Sequence, residues 1–108
     1  MNYVSAMDRD IIIAKLKARE PEFRQLGVES LSLFGSSARR ENTALSDVDV
    51  AVKLNRSMMP KGFRYAGRLE TLRRRLEETL DCPVDLVSEP VLKARLQEAI
   101  DRDRVVAF

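Results

Sequence analysis

Leu33-Phe34-Gly35-Ser36-Ser37-Ala38-Arg39, a polar interval, then Ser46-Asp47-Val48-Asp49-Val50-Ala51-Val52: these two stretches decide how the chain folds. The first runs an apolar strand into a Gly-Ser turn at a helix start, where an anionic phosphate group can be held. In the second, Val48, Val50 and Val52 alternate with Asp47, Asp49, Ala51 and Lys53, so the valines are core and the acids share the opposite face. In an extended strand the Cα atoms of Asp47 and Asp49 lie roughly 6.5 Å apart. Two like charges at that spacing repel unless a cation sits between them, and hard oxygen donors suit a divalent ion. Together the two stretches describe a site for a nucleoside triphosphate and its metal ions.

Outward from this centre, Val28 to Phe34 reads as a strand with Val28, Ser30, Ser32 and Phe34 on one face and Glu29, Leu31 and Leu33 on the other. Before it, Asp8 to about Gly27 is helical, capped by Ser5 or Asp8, with Pro21 opening a second short segment and Gly27 as its stop. Ser36 to Arg40 forms a short helix or turn, and Glu41 to Ser46 a polar loop. Asp47 to Leu54 is the second strand and Asn55 to Gly62 a loop. Tyr65, Leu69, Leu72, Leu76 and Leu80 then form the buried stripe of a long amphipathic helix, stopped by Pro83. Val84 to Val87 is a short, mostly buried third strand. A carboxylate at Asp85 inside it is costly without a cation or hydrogen-bond donors, so Asp85 is either a strand-end residue accepting backbone hydrogen bonds or, as the DxD favours, a third metal ligand or general base. A helix from Val91 to about Asp101 and a closing strand from Val105 to Phe108 complete the chain.

Composition narrows the chemistry. The 108 residues suit one domain, 1–108, and the apolar fraction of 44% with 33% charged residues is that of a folded globular protein. No histidine is present, which removes imidazole catalysis and His-ligated metals, and a single cysteine, Cys82, removes an internal disulfide. The net charge of +2 gives no polyelectrolyte character, so direct nucleic-acid binding is disfavoured. No run is long and apolar enough for a leader or a membrane span, and a cytoplasmic location is the expectation. On the long helix Glu70–Arg74 and Arg73–Glu77 are spaced as ion pairs. Arg64, Arg68 and Arg75 share a face that is one candidate docking surface.

With Val84-Asp85-Leu86-Val87 added, the motifs closely resemble the minimal nucleotidyltransferase family of the polymerase-beta-like superfamily, over nearly the whole chain. The resemblance implies an α/β fold: a small mixed β-sheet, flanked by helices, carrying all three acids. It implies a catalytic set in which Asp47 and Asp49 bind two Mg²⁺ ions and Asp85 completes one metal site and helps deprotonate an attacking hydroxyl. Gly35 and Ser36 would hold the β- and γ-phosphates of ATP, with Ser37 adding a donor and Arg39 assisting. Family members are commonly antitoxins paired with a helical HEPN ribonuclease toxin, which they silence by transferring AMP from ATP onto a tyrosine. A hetero-oligomer with a HEPN-type partner is therefore expected, and a protein acceptor is expected because the chain has little beyond its third acid to hold a small one. The competing reading is a non-catalytic antitoxin that neutralises its partner by binding alone. Arg40 stands where glycine is common in the family; if that position needs a positive φ, arginine carries a steric cost.

Overall fold

The computed structural model describes residues 8–43 and 46–108. Asp8 caps the first helix, α1 (Arg9–Ala18), by accepting a hydrogen bond from the Asp10 N–H at 2.7 Å; Ser5 lies outside the described residues. Pro21 then sits in the first turn of α2 (Glu20–Gln25), where its missing N–H costs nothing. Gly27, at φ 97°, turns the chain into β1 (Val28–Phe34). A four-residue helix, α3 (Gly35–Ala38), follows without a break, then β2 (Val48–Leu54) and a 3-10 turn at Arg56–Met58. The long helix α4 (Phe63–Leu80) crosses over to β3 (Val84–Ser88), and α5 (Ala94–Asp103) leads to the two-residue β4 (Val105–Val106).

The four strands among the described residues form one mixed sheet in the order β3-β2-β1-β4. β1 pairs antiparallel with both β2 and β4, whereas β2 and β3 run parallel, as a pair linked by a helical crossover must. One sheet face buries Leu31, Leu33, Val48, Val50 and Val52 against Ile12 and Leu16 of α1, Phe23 of α2 and Leu72, Leu76 and Leu80 of α4. The other face carries a smaller cluster of Phe34, Ala51 and Ile100, closed by Val87, Val91 and Leu96. The sheet is thus sandwiched, and α5 covers the middle of the face that bears the acids.

Four sequence expectations are corrected. A bulge between Val28 and Ser30 leaves Glu29 as the extra residue, which inverts the strand parity, so Val28 joins Leu31 and Leu33 in the main core. Among the described residues β3 is an edge strand paired only with β2, and Asp85 is exposed; the burial argument for its carboxylate fails for that reason. The stop of α4 is made by Asp81 in the left-handed region, φ 54°, with its N–H donating to the Glu77 carbonyl at 2.7 Å; Pro83 comes two residues later. α5 begins at Ala94, because the Gln97 side chain accepts the Val91 N–H at 3.1 Å and holds that segment outside the helix. Among the described residues no helix is long and apolar enough to cross a membrane.

Leu76 is fully buried where α4 meets the sheet. Leu76→Ala should lower unfolding free energy by about 2–5 kcal/mol through lost burial and the cavity left behind, measured by urea denaturation.

Candidate active site

The site is assembled by two register pairs. In the antiparallel β1–β2 ladder Asp49 lies opposite Phe34, the residue before Gly35; in the parallel β2–β3 ladder it lies beside Asp85. Adjacent strands are about 4.8 Å apart, so positions distant in sequence meet at one end of the sheet. Gly35 has φ 69°, and a Cβ built on it would overlap the Asp49 carboxylate. Glycine is required there twice over, for its conformation and for the close approach of the acid.

Asp49 is half-buried and its carboxyl is pushed above the usual aspartate range. Burial is the largest cause, followed by repulsion from Asp85 and then Asp47, while Arg39 pulls the other way. Asp47 is exposed, just ahead of β2. Three hard-oxygen donors thus gather at one strand end, which suits a divalent cation. Among the described residues no three such side chains are already converged on a common point, so binding an ion requires the carboxylates to turn towards one another. The pairwise repulsion on Asp49 is what a cation would relieve.

The turn between β1 and β2 is tied down on several sides. Ser36 is half-buried, and its carbonyl accepts the Glu41 N–H at 2.8 Å. Ser37 is buried, and its Oγ has no hydrogen-bond partner among the described residues. Arg39 donates through Nε to Glu41 at 3.0 Å and through Nη1 to Asp103 of α5 at 2.6 Å, two bonds that hold its guanidinium firmly charged. Arg40 does adopt a positive φ, 61°. Its guanidinium pairs with Asp10 at 3.2 Å and Asp8 at 3.8 Å, while Arg9 Nη1 donates to the Ala38 carbonyl at 2.9 Å. The first turn of α1 therefore grips the end of α3.

Arg9, Asp10 and Asp103 were not legible as site residues. Their partners are 29, 30 and 64 positions away, and nothing local in the sequence signals such contacts. The proposed docking face on α4 is corrected: Arg68 donates to the Leu26 carbonyl at 2.8 Å and Arg75 pairs with Glu22 of α2. Arg75 thus fastens α4 to α2 and Arg68 fastens it to the C-cap of that helix, leaving Arg64 apart from them. The i,i+4 pairs Glu70–Arg74 and Arg73–Glu77 are present at 3.6 and 2.7 Å.

A mixed sheet with a Gly-Ser turn pressed against a DxD strand, and a third acid alongside, defines a nucleotidyltransferase. The family model for polymerase beta nucleotidyltransferases matches residues 8–107, and the chain belongs to that family. A provisionally named protein adenylyltransferase of Methanocaldococcus jannaschii is 34% identical over 76 residues, 66% of this chain and 72% of the relative. A solved structure provisionally described as a minimal nucleotidyltransferase superposes with a TM-score of 0.71 at 30% identity, covering 92% of this chain and 95% of its own. Two toxin–antitoxin complexes share the fold. One, with AMP-PNP, has a TM-score of 0.63 at 22% identity over 94% of this chain and 73% of that one. The other pairs a tri-AMPylated HEPN toxin of Shewanella oneidensis with its minimal nucleotidyltransferase antitoxin, at a TM-score of 0.53 and 19% identity over 85% and 71%.

Arg40→Gly should remove a left-handed backbone penalty of about 1–2 kcal/mol, which exceeds what exposed ion pairs return. The melting temperature should rise by a few degrees, roughly 2–6 °C, read by calorimetry or circular dichroism.

Proposed function

We propose that this chain is a Mg²⁺-dependent protein adenylyltransferase that moves AMP from ATP onto a hydroxyl, a tyrosine, of a HEPN-type toxin and thereby acts as its antitoxin. The observation that carries the reading is the lateral pairing of Asp49 with Asp85 while Gly35 closes against Asp49. The AMPylated toxin in a complex of the same fold supports the acceptor class, and the AMP-PNP complex supports the nucleotide. A cytoplasmic location and a hetero-oligomer follow from an ATP-using enzyme with a protein acceptor.

Asp47, Asp49 and Asp85 would hold two Mg²⁺ ions, which when bound neutralise charge on the triphosphate. The N–H groups of a first helical turn lack intrahelical partners, so Gly35 and Ser36 can donate to the β- and γ-phosphates. Because Gly35 has no side chain, the Asp49 carboxylate sits directly beside this turn, so the acid and the phosphate-facing N–H groups adjoin. Ser37, buried beneath the turn, contributes through its backbone. Arg39 contributes to the local potential: bridged to Glu41 and Asp103, its charge acts on Asp49. The acceptor oxygen forms its bond to the α-phosphorus as the bond to pyrophosphate breaks, and Asp85, exposed on the open edge strand, takes the hydroxyl proton. A phenol, with a pKa near 10, is more readily ionised than an alkyl alcohol.

Asp49→Asn separates function from folding. Transfer should fall by ~10² or more, the scale for losing a preorganised electrostatic group. Stability should move the other way. With its carboxyl raised, the folded chain holds that proton more tightly than the unfolded chain does, so the group's contribution is complete at low pH and is lost as pH rises through the raised value. Asparagine removes this loss, so in metal-free buffer at pH 7 the variant should melt above the wild type, and the difference should shrink on acidification.

Incubation with ATP, Mg²⁺ and the protein encoded beside this chain's gene should add mass to that protein in AMP increments, and EDTA should abolish the addition. A partner that is bound and neutralised without added mass at saturating ATP would replace the enzyme by an occluding antitoxin.

A further inference from the structure

Opposite the acids, the far end of the sheet carries a different surface. Two cavities, about 320 and 370 Å³, share Leu54, Arg56 and Glu89 as walls and so form one groove across the ends of β2 and β3. The Tyr65 hydroxyl donates to Ser88 Oγ at 3.2 Å, joining the start of α4 to the end of β3 beneath it. Phe63 and Leu92, in the segments that follow the groove walls at Lys61 and Pro90, are fully exposed, and Met58 is half-exposed. Large apolar side chains left fully in water mark interaction surfaces when they gather at one place.

The charge around them is one-sided. Arg56, Lys61, Arg64, Lys93 and Arg95 are exposed and take part in no ion pair among the described residues. Of the acids in the groove walls, Glu89 is buried and paired with Arg104 at 2.6 Å, and Asp101 is paired with the same arginine at 3.0 Å. Glu29 alone keeps its carboxylate unpaired among the described residues.

We infer that this end of the sheet docks an acidic, partly apolar surface of a partner protein, and that the partner is the acceptor of the proposed transfer, on which reading the inference rests. Exposed apolar side chains and unpaired cations at the same end of the sheet fit the anatomy of a protein interface. RNA fits less well, since Leu92 and Met58 are not aromatic and Phe63 is the single exposed aromatic ring at this end among the described residues, too little for a stacking platform. The exposed edge strand β3 leads from the groove at Ser88 back to Asp85, about 10 Å along an extended strand. A partner seated in the groove therefore has a short, open path for its hydroxyl to the acids.

The test measures the affinity of the whole chain for the protein encoded beside its gene, by calorimetry. Two double variants remove the apolar and charged contributions: Phe63→Ser with Leu92→Ser, and Arg64→Glu with Arg95→Glu. Each should weaken the complex by roughly tenfold or more while leaving ATP affinity and melting temperature unchanged. AMP transfer should show a raised KM for the partner with kcat kept. Arg74→Glu, on the solvent side of α4, should have no effect. If the double variants bind the partner as the wild type does, docking lies elsewhere and the transfer reading stands without this surface. If the wild type does not bind that protein at all, both fall. If the variants instead lose single-stranded RNA binding in a fluorescence titration, or self-association in the ultracentrifuge, with partner affinity intact, the surface belongs to that other occupant and the inference is overturned.

Discussion

The carboxylate of Asp49 rests against the Cα of Gly35, and the architecture of the site depends on that contact. It needs a residue without a side chain, in the left-handed region, at the exit of β1. It also needs the antiparallel register that sets Phe34 opposite Asp49. A one-residue slip in either strand would send the acid to the core face. The valines that alternate with the acids prevent the slip, because Val48, Val50 and Val52 are buried against α1 and α4 and have nowhere else to go. Packing on one face of β2 thus fixes the chemistry on the other.

The gathered acids work against the fold that holds them. The Asp49 carboxyl is raised by burial and by its two acidic neighbours, and Arg39 acts as the counterweight. Such a cluster stores repulsion that a bound cation relieves, the usual conflict between stability and a functional site. Arg39 is itself anchored to Glu41 and to Asp103, so the last turn of α5 is fastened to the Gly-Ser turn. The helix that caps the second hydrophobic cluster thereby also braces the turn.

A second strain lies at Arg40, a non-glycine residue at positive φ. Part of its cost is offset by a grip from outside the turn: Asp8 and Asp10 hold its guanidinium, and Arg9 holds the nearby Ala38 carbonyl. The first turn of α1 thus helps to shape the end of α3, so changes there can reach the candidate site without touching nucleotide.

Much of the fold was written in local pattern. The period-2 alternation around Asp47 and Asp49, the leucine stripe of α4, the Gly-Ser turn and the helix start at Asp8 are short-range signals, each set by the few residues around it. The acids' identity and the absence of histidine also bound the chemistry from the sequence alone. What the sequence left open are matters of pairing between distant residues. The bulge at Glu29 depends on register with Leu54 and Lys53, and the exposure of Asp85 depends on β3 falling at the sheet edge. The Arg39–Asp103 bridge and the Arg9 hydrogen bond join residues 64 and 29 positions apart. Arg68 and Arg75 looked like a free basic face because a helical pattern shows which side chains share a side, but not what lies against that side; only the placement of α2 shows them fastened to Leu26 and Glu22. Local propensity specified the elements and the acids they carry, while the tertiary fold decided which charges pair and which remain open to a partner, because pairing depends on distances that only the packed chain sets.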